Sequence, residues 1–313
     1  MINIQKAAII GCGFVGASIA YALMQKGTFS EIVLLDANEK KAEGEAMDIS
    51  HGLPFAHAMD IYAGKYEDIR DASVIIITAG ANQRPGETRL DLVQKNAGIM
   101  KSIIREIKRV KCEGILLIVS NPVDILTYVA LKESGFPSSR VIGSGTVLDT
   151  ARLKYILSEK LKVDSRNVHA FIIGEHGDSE LPVWSCANIY GIGLGDFAKM
   201  KGYKNFTSEM EEIYHAVRDS AYEIIERKGA TYYGIGMAAA RIAEAIVRDS
   251  HAVVPVSVLL NGEYGLSDLC LSIPAIVGSE GAEQVLEIAF NEDENKKLKK
   301  SAEELKAVLH TIQ

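Results

Sequence analysis

The 313-residue sequence has four cysteines, and they form neither a disulfide framework nor a metal-binding pattern. They are widely spread, none belongs to a Cys-x-x-Cys pair, and each has apolar neighbours. This distribution is typical of buried thiols in a reducing compartment. The cysteines are Cys12, Cys112, Cys186 and Cys270. The seven histidines do not cluster at ligand spacing either, so we expect no metal site.

Long apolar runs are also missing. No run reaches the ~18 residues of a membrane span, and MINIQKAAIIGCG has no charged leader before a cleavable apolar stretch. Positive charge is scarce, since the formal net charge is -7 and the short KKLKK run is typical of one solvated face of a terminal helix. We therefore expect a cytoplasmic protein that binds neither membranes nor nucleic acid.

The first half of the sequence alternates short apolar runs with longer helical patterns. The apolar runs are AAII (7–10), EIVLLD (31–36), IYA (61–63), SVIIITAG (73–80), GILLIVS (114–120) and RVIG (140–143). Near-continuous apolar strands separated by helices predict a parallel sheet covered on both faces. Six such strands indicate a doubly wound α/β fold of the Rossmann type, which binds dinucleotides.

After residue 143 the alternation gives way to longer helices and a few mixed strands. Helical spacing is present over 151–162 and 208–227, and GIGMAAARIAEAIVR predicts a small-residue helix that packs closely. We expect a nucleotide-binding domain at 1–143 followed by a mixed α+β substrate domain at 144–313, because the chain exceeds the usual single-domain size.

A glycine signature follows the first predicted strand. Gly11, Gly13 and Gly16 form G-x-G-x-x-G, and helical spacing follows them. Such a turn lets pyrophosphate approach backbone N–H groups at a helix N-terminus. Asp36 closes the second strand 20 residues after Gly16. A carboxylate at this position accepts hydrogen bonds from ribose hydroxyls and repels a 2′-phosphate. NAD is therefore favoured over NADP, and the alternative is an aspartate that merely caps the next helix.

Three residues further along indicate chemistry on a small carboxylic acid. An arginine such as Arg152 can grip a carboxylate with two parallel hydrogen bonds. His176, oriented by an aspartate such as Asp149, can exchange a proton near neutral pH. A hydrolase is disfavoured because the sequence has no G-x-S-x-G elbow. Next to a nucleotide-binding signature, this chemistry is expected to be redox.

Seven segments in order give the sequence a resemblance to a known family. They are GCGFVG, Asp36, TAGANQRPGETRLDLVQKN, VSNPVD, SGTVLDTARL, IIGEHGDSELPVWS and KGATYYGIG. Together they resemble the lactate/malate dehydrogenase family, and within it the bacterial L-lactate dehydrogenases. The resemblance implies an NAD-dependent, reversible reduction of pyruvate to L-lactate by a homotetramer.

The resemblance also implies a role for each site residue. His176 would be the proton donor and acceptor, Asp149 its partner, and Arg152 the group that holds the substrate carboxylate. Arg89 would polarise the substrate carbonyl from a closing loop, while Asn121 and Thr231 would line the substrate pocket. From the residues alone, Asn121 could instead satisfy a turn before Pro122. The resemblance implies further cofactor positions at Val15, Lys41, Tyr66, Gly80, Ala81, Ser102, Val119, Asn121 and Ser144.

Gln83 is expected to decide between two substrates. Malate-specific relatives usually have an arginine there, which neutralises malate's second carboxylate. A neutral amide would leave that charge unpaired, at a cost of roughly 3–5 kcal/mol, so pyruvate and lactate fit better. Arg84 keeps the malate alternative open, because a shift of one residue in the loop would bring its charge inward. Spacing alone favours a solvated loop charge for Arg84.

Two further residues match positions at which bacterial relatives bind fructose 1,6-bisphosphate. They are His169 and Lys154, and the family usually has an arginine at the position of Lys154. We expect activation by this effector, and the alternative for His169 is a strand histidine beside apolar neighbours. A third function, a non-catalytic NAD-binding protein, is disfavoured because Asp149, His176, Arg152 and Arg89 are all retained.

Overall fold

The computed structural model describes residues 2–81 and 88–311. Strands and helices alternate through the first part of the chain. These elements are β1 (Asn3–Ile10), α1 (Phe14–Lys26), β2 (Glu31–Leu35), α2 (Glu39–Ser50), β3 (Asp60–Ala63), β4 (Ala72–Ile77), α3 (Arg89–Arg109), β5 (Ile115–Ile118), α4 (Val123–Ser134) and β6 (Val141–Gly143).

All six predicted strands are present, and they form one parallel block in the order β3-β2-β1-β4-β5-β6. Ile9 of β1 pairs with Leu34 of β2 on one side and with Ile76 of β4 on the other. These three side chains are almost completely buried, because helices cover both faces of the sheet. The predicted doubly wound fold is confirmed.

The order of the strands also locates a binding crevice. β1 and β4 are neighbours, and the chain leaves them toward opposite sides of the sheet. In open α/β sheets, ligands bind outside the carboxyl ends of the strands at this switch point. The glycine signature follows β1, and residues 78–81 follow β4 at the same edge.

The second part of the chain mixes helices with short and long strands. Its elements are α5 (Val147–Leu161), β7 (Val168–His169), β8 (Ile172–Ile173), β9 (Leu181–Pro182), β10 (Asn188–Ile189), β11 (Ile192–Gly193), α6 (Leu194–Met200), α7 (Thr207–Lys228), α8 (Tyr233–Val247), β12 (Ala252–Asn261), β13 (Ser267–Gly278), β14 (Gly281–Val285) and α9 (Glu292–Leu309). Short 3-10 turns occupy Leu53–Phe55, Tyr66–Ile69, Ser138–Arg140, Ser165–Asn167, Trp184–Cys186 and Glu263–Gly265.

The strands β12, β13 and β14 extend the parallel sheet with an antiparallel block. Ser257 of β12 pairs with Gly143 of β6, so the sheet has nine strands in all. Pro255 and Pro274 lie opposite each other in the β12–β13 pair. The sheet is therefore continuous across the predicted domain boundary at residue 143, and that boundary stays a prediction.

The helices agree with the sequence patterns except at one end. α5 begins at Val147, four residues before the predicted start, and ends before Lys162, which has a left-handed φ of 52°. Asp149 and Arg152 therefore lie one helical turn apart on the same helix. In α8, a Cβ on Gly236 would lie 3.0 Å from Cβ of Ser18, which confirms the expected close helix packing.

Other composition-based expectations can be compared with the structure. The four lysines of the KKLKK run are exposed on α9 while Leu298 between them is buried, which confirms a solvated helix face. All four cysteines are free thiols, but Cys186 is only partly buried, contrary to expectation. Within residues 2–81 and 88–311, no helix has both the length and the apolar character needed to cross a membrane.

Candidate active site

The glycine loop between β1 and α1 folds tightly on its own backbone. A Cβ on Gly16 would lie 1.9 Å from the carbonyl oxygen of Gly11, and Gly11 itself has a φ of 105°. Gly13, at the start of α1, faces open space, since no described heavy atom lies within 4 Å of its ideal Cβ position. The loop therefore leaves room for an anion beside the N-terminus of α1.

Asp36 lies next to this loop, at the carboxyl end of β2. Its Oδ2 accepts a hydrogen bond of 2.7 Å from the backbone N–H of Cys12, and its Oδ1 accepts one of 2.9 Å from Asn38. These bonds fix the carboxylate beside the glycine loop. Asp36 therefore contacts the glycine loop directly, although the two are far apart in the sequence.

A cavity of about 580 Å³ opens at the same edge of the sheet. Five predicted cofactor residues line it, and they come from three separate segments: Val15 at the start of α1, Gly80 and Ala81 after β4, and Val119 and Asn121 after β5. The carboxyl ends of neighbouring parallel strands meet at this edge, which explains why these distant residues converge.

Four predicted substrate residues line the same cavity. They are Asn121 after β5, Asp149 and Arg152 on α5, and His176 in the connection between β8 and β9. The structure thus brings the predicted cofactor and substrate residues to one enclosure.

His176, Asp149 and Arg152 form a hydrogen-bonded row. Nδ1 of His176 lies 2.7 Å from Oδ2 of Asp149, and Nη1 of Arg152 donates to Oδ1 of Asp149 at 2.7 Å. The Asp149 side chain is almost fully buried, while the His176 side chain keeps 26% of its surface exposed. One carboxylate therefore orients both the imidazole and the guanidinium.

The charges of this row shift its proton affinities. Burial disfavours the imidazolium form of His176, but the neighbouring Asp149 carboxylate outweighs burial and raises the pKa of His176 to about 9. Burial also disfavours the charge on Asp149, yet His176 and Arg152 together lower the pKa of that carboxyl. His176 is thus protonated and Asp149 ionised at neutral pH.

Asp124, on the first turn of α4, supports the loop that carries His176. Its Oδ2 accepts a hydrogen bond of 2.8 Å from the backbone N–H of His176, and its Oδ1 accepts one of 3.2 Å from Ser272 of β13. Burial raises the pKa of Asp124 to about 6, although the backbone N–H and the charge of His176 oppose the shift. Asp124 is the last residue of the segment VSNPVD, and no role was predicted for it from the sequence.

Glu180 is a second residue that the sequence reasoning missed. It lines the cavity at only 4% exposure, four residues after His176. It lies within the quoted IIGEHGDSELPVWS segment, but a single glutamate in a loop gives no sequence signal of burial. Asn96 of α3 was likewise missed, although its side-chain oxygen accepts the backbone N–H of Ala81 at 2.8 Å.

Several predicted residues lie outside the cavity lining. Lys41 is exposed on α2, Ser102 is exposed on α3, Tyr66 is half-buried, and Ser144 is buried, donating its backbone N–H to Ile118 at 2.8 Å. Thr231 is half-buried between α7 and α8.

Two groups of predicted residues remain: those expected to select the substrate and those expected to bind the effector. Gln83, Arg84 and the Pro85–Gly86 turn lie outside the described residues. Arg89 is the first residue of α3, which begins with a reciprocal capping box between Thr88 and Asp91. Of the effector pair, Lys154 is half-buried on α5 and His169 is exposed on β7.

Comparison with known proteins agrees with this geometry. Residues 5–143 match the lactate/malate dehydrogenase NAD-binding domain, and residues 146–313 match the lactate/malate dehydrogenase alpha/beta C-terminal domain. The chain belongs to the lactate/malate dehydrogenase family. The family resemblance, the α/β fold class and the identity of NAD as cofactor are thereby confirmed.

Individual relatives cover almost the whole chain. An L-lactate dehydrogenase from Acetivibrio thermocellus is 53% identical over 309 residues, which are 99% of this chain and 98% of that protein. One from Priestia megaterium is 51% identical over 302 residues, or 96% and 95%. The crystal structure of MGS-M5, a lactate dehydrogenase from a Medee basin deep-sea metagenome library, has a TM-score of 0.96 at 49% identity, covering 100% of this chain and 99% of that one.

The residues present fit an NAD molecule. The open space at Gly13 leaves room for pyrophosphate at the start of α1, where the helix dipole favours negative charge. The fixed carboxylate of Asp36 matches the ribose-binding aspartate of such folds. The cavity lined by Val15 and Val119 offers an apolar wall for the nicotinamide end of the cofactor.

Proposed function

We propose that this family member is an L-lactate dehydrogenase, which reduces pyruvate to L-lactate and catalyses the reverse oxidation. The observation that carries the proposal is the row of His176, Asp149 and Arg152 in a cavity that also contains cofactor-binding residues. The names of the relatives from Acetivibrio thermocellus and Priestia megaterium support it.

Arg152 holds the carboxylate of the substrate. One of its N–H groups already bonds to Asp149, and a guanidinium has five such donors in a planar fork. The remaining donors suit a bidentate pair with a second carboxylate. Because the Arg152 side chain is only 14% exposed, water competes weakly for those donors.

His176 transfers the proton. Bound NADH supplies the hydride that reduces the substrate carbonyl. The bond from Nδ1 to Asp149 leaves Nε2 on the opposite side of the ring, where protonated His176 donates to the carbonyl oxygen. Neutral His176 acts as a base in lactate oxidation, and Asp149 keeps the ring in one tautomer and stabilises the imidazolium.

The remaining substrate and cofactor contacts follow the family pattern. Arg89, at the start of α3, polarises the substrate carbonyl in a site from which water is excluded. Asn121 and Thr231 complete the pocket around the substrate. Lys41, Tyr66, Ser102 and Ser144 stay predicted cofactor contacts.

Gln83 makes pyruvate the preferred keto acid over oxaloacetate. The experiment that tests this is NADH oxidation with each of the two acids at matched enzyme and NADH concentrations. A higher kcat/KM for pyruvate supports an L-lactate dehydrogenase. A higher kcat/KM for oxaloacetate would make the chain a malate dehydrogenase, and NADH binding without turnover of either acid would make it a non-catalytic NAD-binding protein.

We further propose a cytoplasmic homotetramer activated by fructose 1,6-bisphosphate. Lys154 and His169 would supply positive charge to the effector phosphates, although lysine lacks the planar fork of arginine. Burial lowers the pKa of Lys154, and a phosphate beside it would oppose that shift. The proposal of effector activation is wrong if millimolar fructose 1,6-bisphosphate leaves the pyruvate saturation curve unchanged at several pH values.

A further inference from the structure

Glu180 is a buried carboxyl that the reaction steps above do not use. It lies just before β9 and lines the cavity at 4% exposure. Its Oε1 is buried and has no hydrogen-bond partner among residues 2–81 and 88–311. An unpaired buried carboxylate would be costly, so the protonation state of Glu180 needs an explanation.

The neighbours of Glu180 belong to the catalytic row. A carboxyl oxygen of Glu180, a carboxyl oxygen of Asp149 and a ring nitrogen of His176 all lie within 4.8 Å of one another. Arg152 bonds to the same Asp149 carboxylate on α5. Glu180 therefore lies beside the Asp149 carboxylate and the His176 imidazole, and Asp149 in turn holds the Arg152 cation.

Other charged and titratable groups approach from α7 and from the loop of Glu180 itself. Tyr214 donates its phenol to the backbone carbonyl of Glu180 at 2.6 Å. Arg218 and Asp178 line the same cavity; Arg218 pairs with Asp219 at 3.0 Å, and Asp178 accepts the phenol of Tyr222 at 3.2 Å. Arg218 and Asp178 on the cavity wall are thus each bound to a partner other than Glu180.

Two carboxyls this close in a buried site cannot both ionise without cost. Asp149 keeps its charge because it bonds directly to His176 and Arg152, and the proton therefore falls to Glu180. Burial, reinforced by the Asp149 charge, raises the pKa of Glu180 well above its usual range.

Charge counting connects this proton to the substrate. With Glu180 neutral, three negative formal charges balance three positive ones, while Arg218 pairs with Asp219. The negative charges are those of Asp149, Asp178 and a bound substrate carboxylate, and the positive ones are those of Arg152, protonated His176 and the Arg89 that the proposed function brings to the substrate. With Glu180 ionised, the same set carries one uncompensated negative charge in an enclosure of low dielectric. Binding of the anionic substrate therefore favours the neutral form of Glu180.

We propose that Glu180 is a positioning residue that holds a proton whenever a carboxylate substrate occupies the cavity, and takes that proton from solvent when the substrate binds at alkaline pH. The proposal rests on the proposed function, because it requires a 2-oxo acid at Arg152. It makes substrate affinity depend on a second proton in addition to that of His176.

The test is the number of protons taken up when oxamate, an unreactive isostere of pyruvate, binds to the enzyme–NADH complex. Uptake is followed with a pH indicator in weak buffer from about pH 6 to about pH 9. The parent enzyme is compared with Glu180→Gln and with Glu226→Gln, which makes the same change at an exposed position of α7. Calorimetry confirms oxamate binding in each protein.

We expect the parent enzyme and Glu226→Gln to take up more protons than Glu180→Gln at alkaline pH, by as much as one proton per site. Equal uptake by all three proteins at every pH would overturn the proposal for Glu180 alone. If the parent enzyme does not bind oxamate, the proposed function fails together with this inference.

Infrared difference spectroscopy tests the parent chain without any substitution. Oxamate binding at alkaline pH should produce the carbonyl band of a protonated carboxyl, and isotopic labelling of glutamate should shift that band. The band should be absent from Glu180→Gln. A band that glutamate labelling does not shift, or no band at all, would contradict the proposal even if Glu180→Gln failed to fold.

Discussion

Nδ1 of His176 lies 2.7 Å from Oδ2 of Asp149, and these two side chains come from the connection between β8 and β9 and from α5. The other oxygen of the same carboxylate holds Arg152 at 2.7 Å. Because a single buried aspartate bonds to both side chains, it fixes the distance between the proposed proton donor and the proposed carboxylate-binding group.

The raised pKa of His176 predicts opposite pH dependences of kcat/KM for pyruvate reduction and for lactate oxidation. Pyruvate reduction needs the imidazolium, so its kcat/KM should be level below about pH 8 and fall as the pH rises through about 9. Lactate oxidation needs neutral His176, so its kcat/KM should rise over the same interval. Initial rates in both directions across this range check the prediction, and parallel pH profiles would contradict it.

Asp149→Asn should lower the pKa of His176 from about 9 toward its ordinary value, because the charge that stabilises the imidazolium is removed. The kcat/KM for pyruvate should fall by roughly 10²–10⁴ at neutral pH. The measurement is the pH profile of kcat/KM for pyruvate. Asp196→Asn, at a side chain 74% exposed on α6, is the control and should keep the parental profile.

Arg152→Lys should raise the KM for pyruvate more than it lowers kcat. Lysine keeps the charge but loses the planar fork, and a lost charge-assisted hydrogen bond of about 1.5–3 kcal/mol corresponds to roughly a 10- to 100-fold weaker interaction. Steady-state kinetics should show this alongside Arg227→Lys, a matched change at a side chain 77% exposed. An unchanged KM would show that Arg152 does not bind the carboxylate.

Gln83→Arg should move preference toward oxaloacetate. The new cation would neutralise the second carboxylate, which a neutral amide leaves unpaired. The ratio of kcat/KM for oxaloacetate to that for pyruvate should rise by roughly two to three and a half decades, for about 3–5 kcal/mol. Gln94→Arg, at an exposed position of α3, should leave the ratio unchanged. The same result for both variants would show that Gln83 does not face the substrate.

The sequence was sufficient for the nucleotide-binding half of the fold. Runs such as SVIIITAG are apolar without alternation because helices bury both faces of the strand, so their pattern predicts β4 directly. The convergence of Asp149, Arg152 and His176 was also predictable, because each lies in a motif whose residue types suit one reaction. Their hydrogen-bonding partners follow from the same chemistry.

Other features depend on contacts between distant segments. β12 and β13 contain Pro255 and Pro274, and proline within a run argues against a strand, so this long hairpin was not predicted. The start of α5 was placed too late because its first turn, VLDT, has two adjacent apolar residues followed by two polar ones, without helical periodicity. Burial of Glu180 contradicts the usual exposure of glutamate, and only the packed cavity shows it.

The most direct test of the account compares pyruvate-dependent NADH oxidation by the parent enzyme and by His176→Gln, with chiral analysis of the product. The account predicts L-lactate from the parent enzyme and a loss of roughly 10²–10⁴ in kcat for the variant, with NADH affinity retained. A variant that reduces pyruvate at the parental rate, or a parent enzyme that does not form L-lactate, would contradict it.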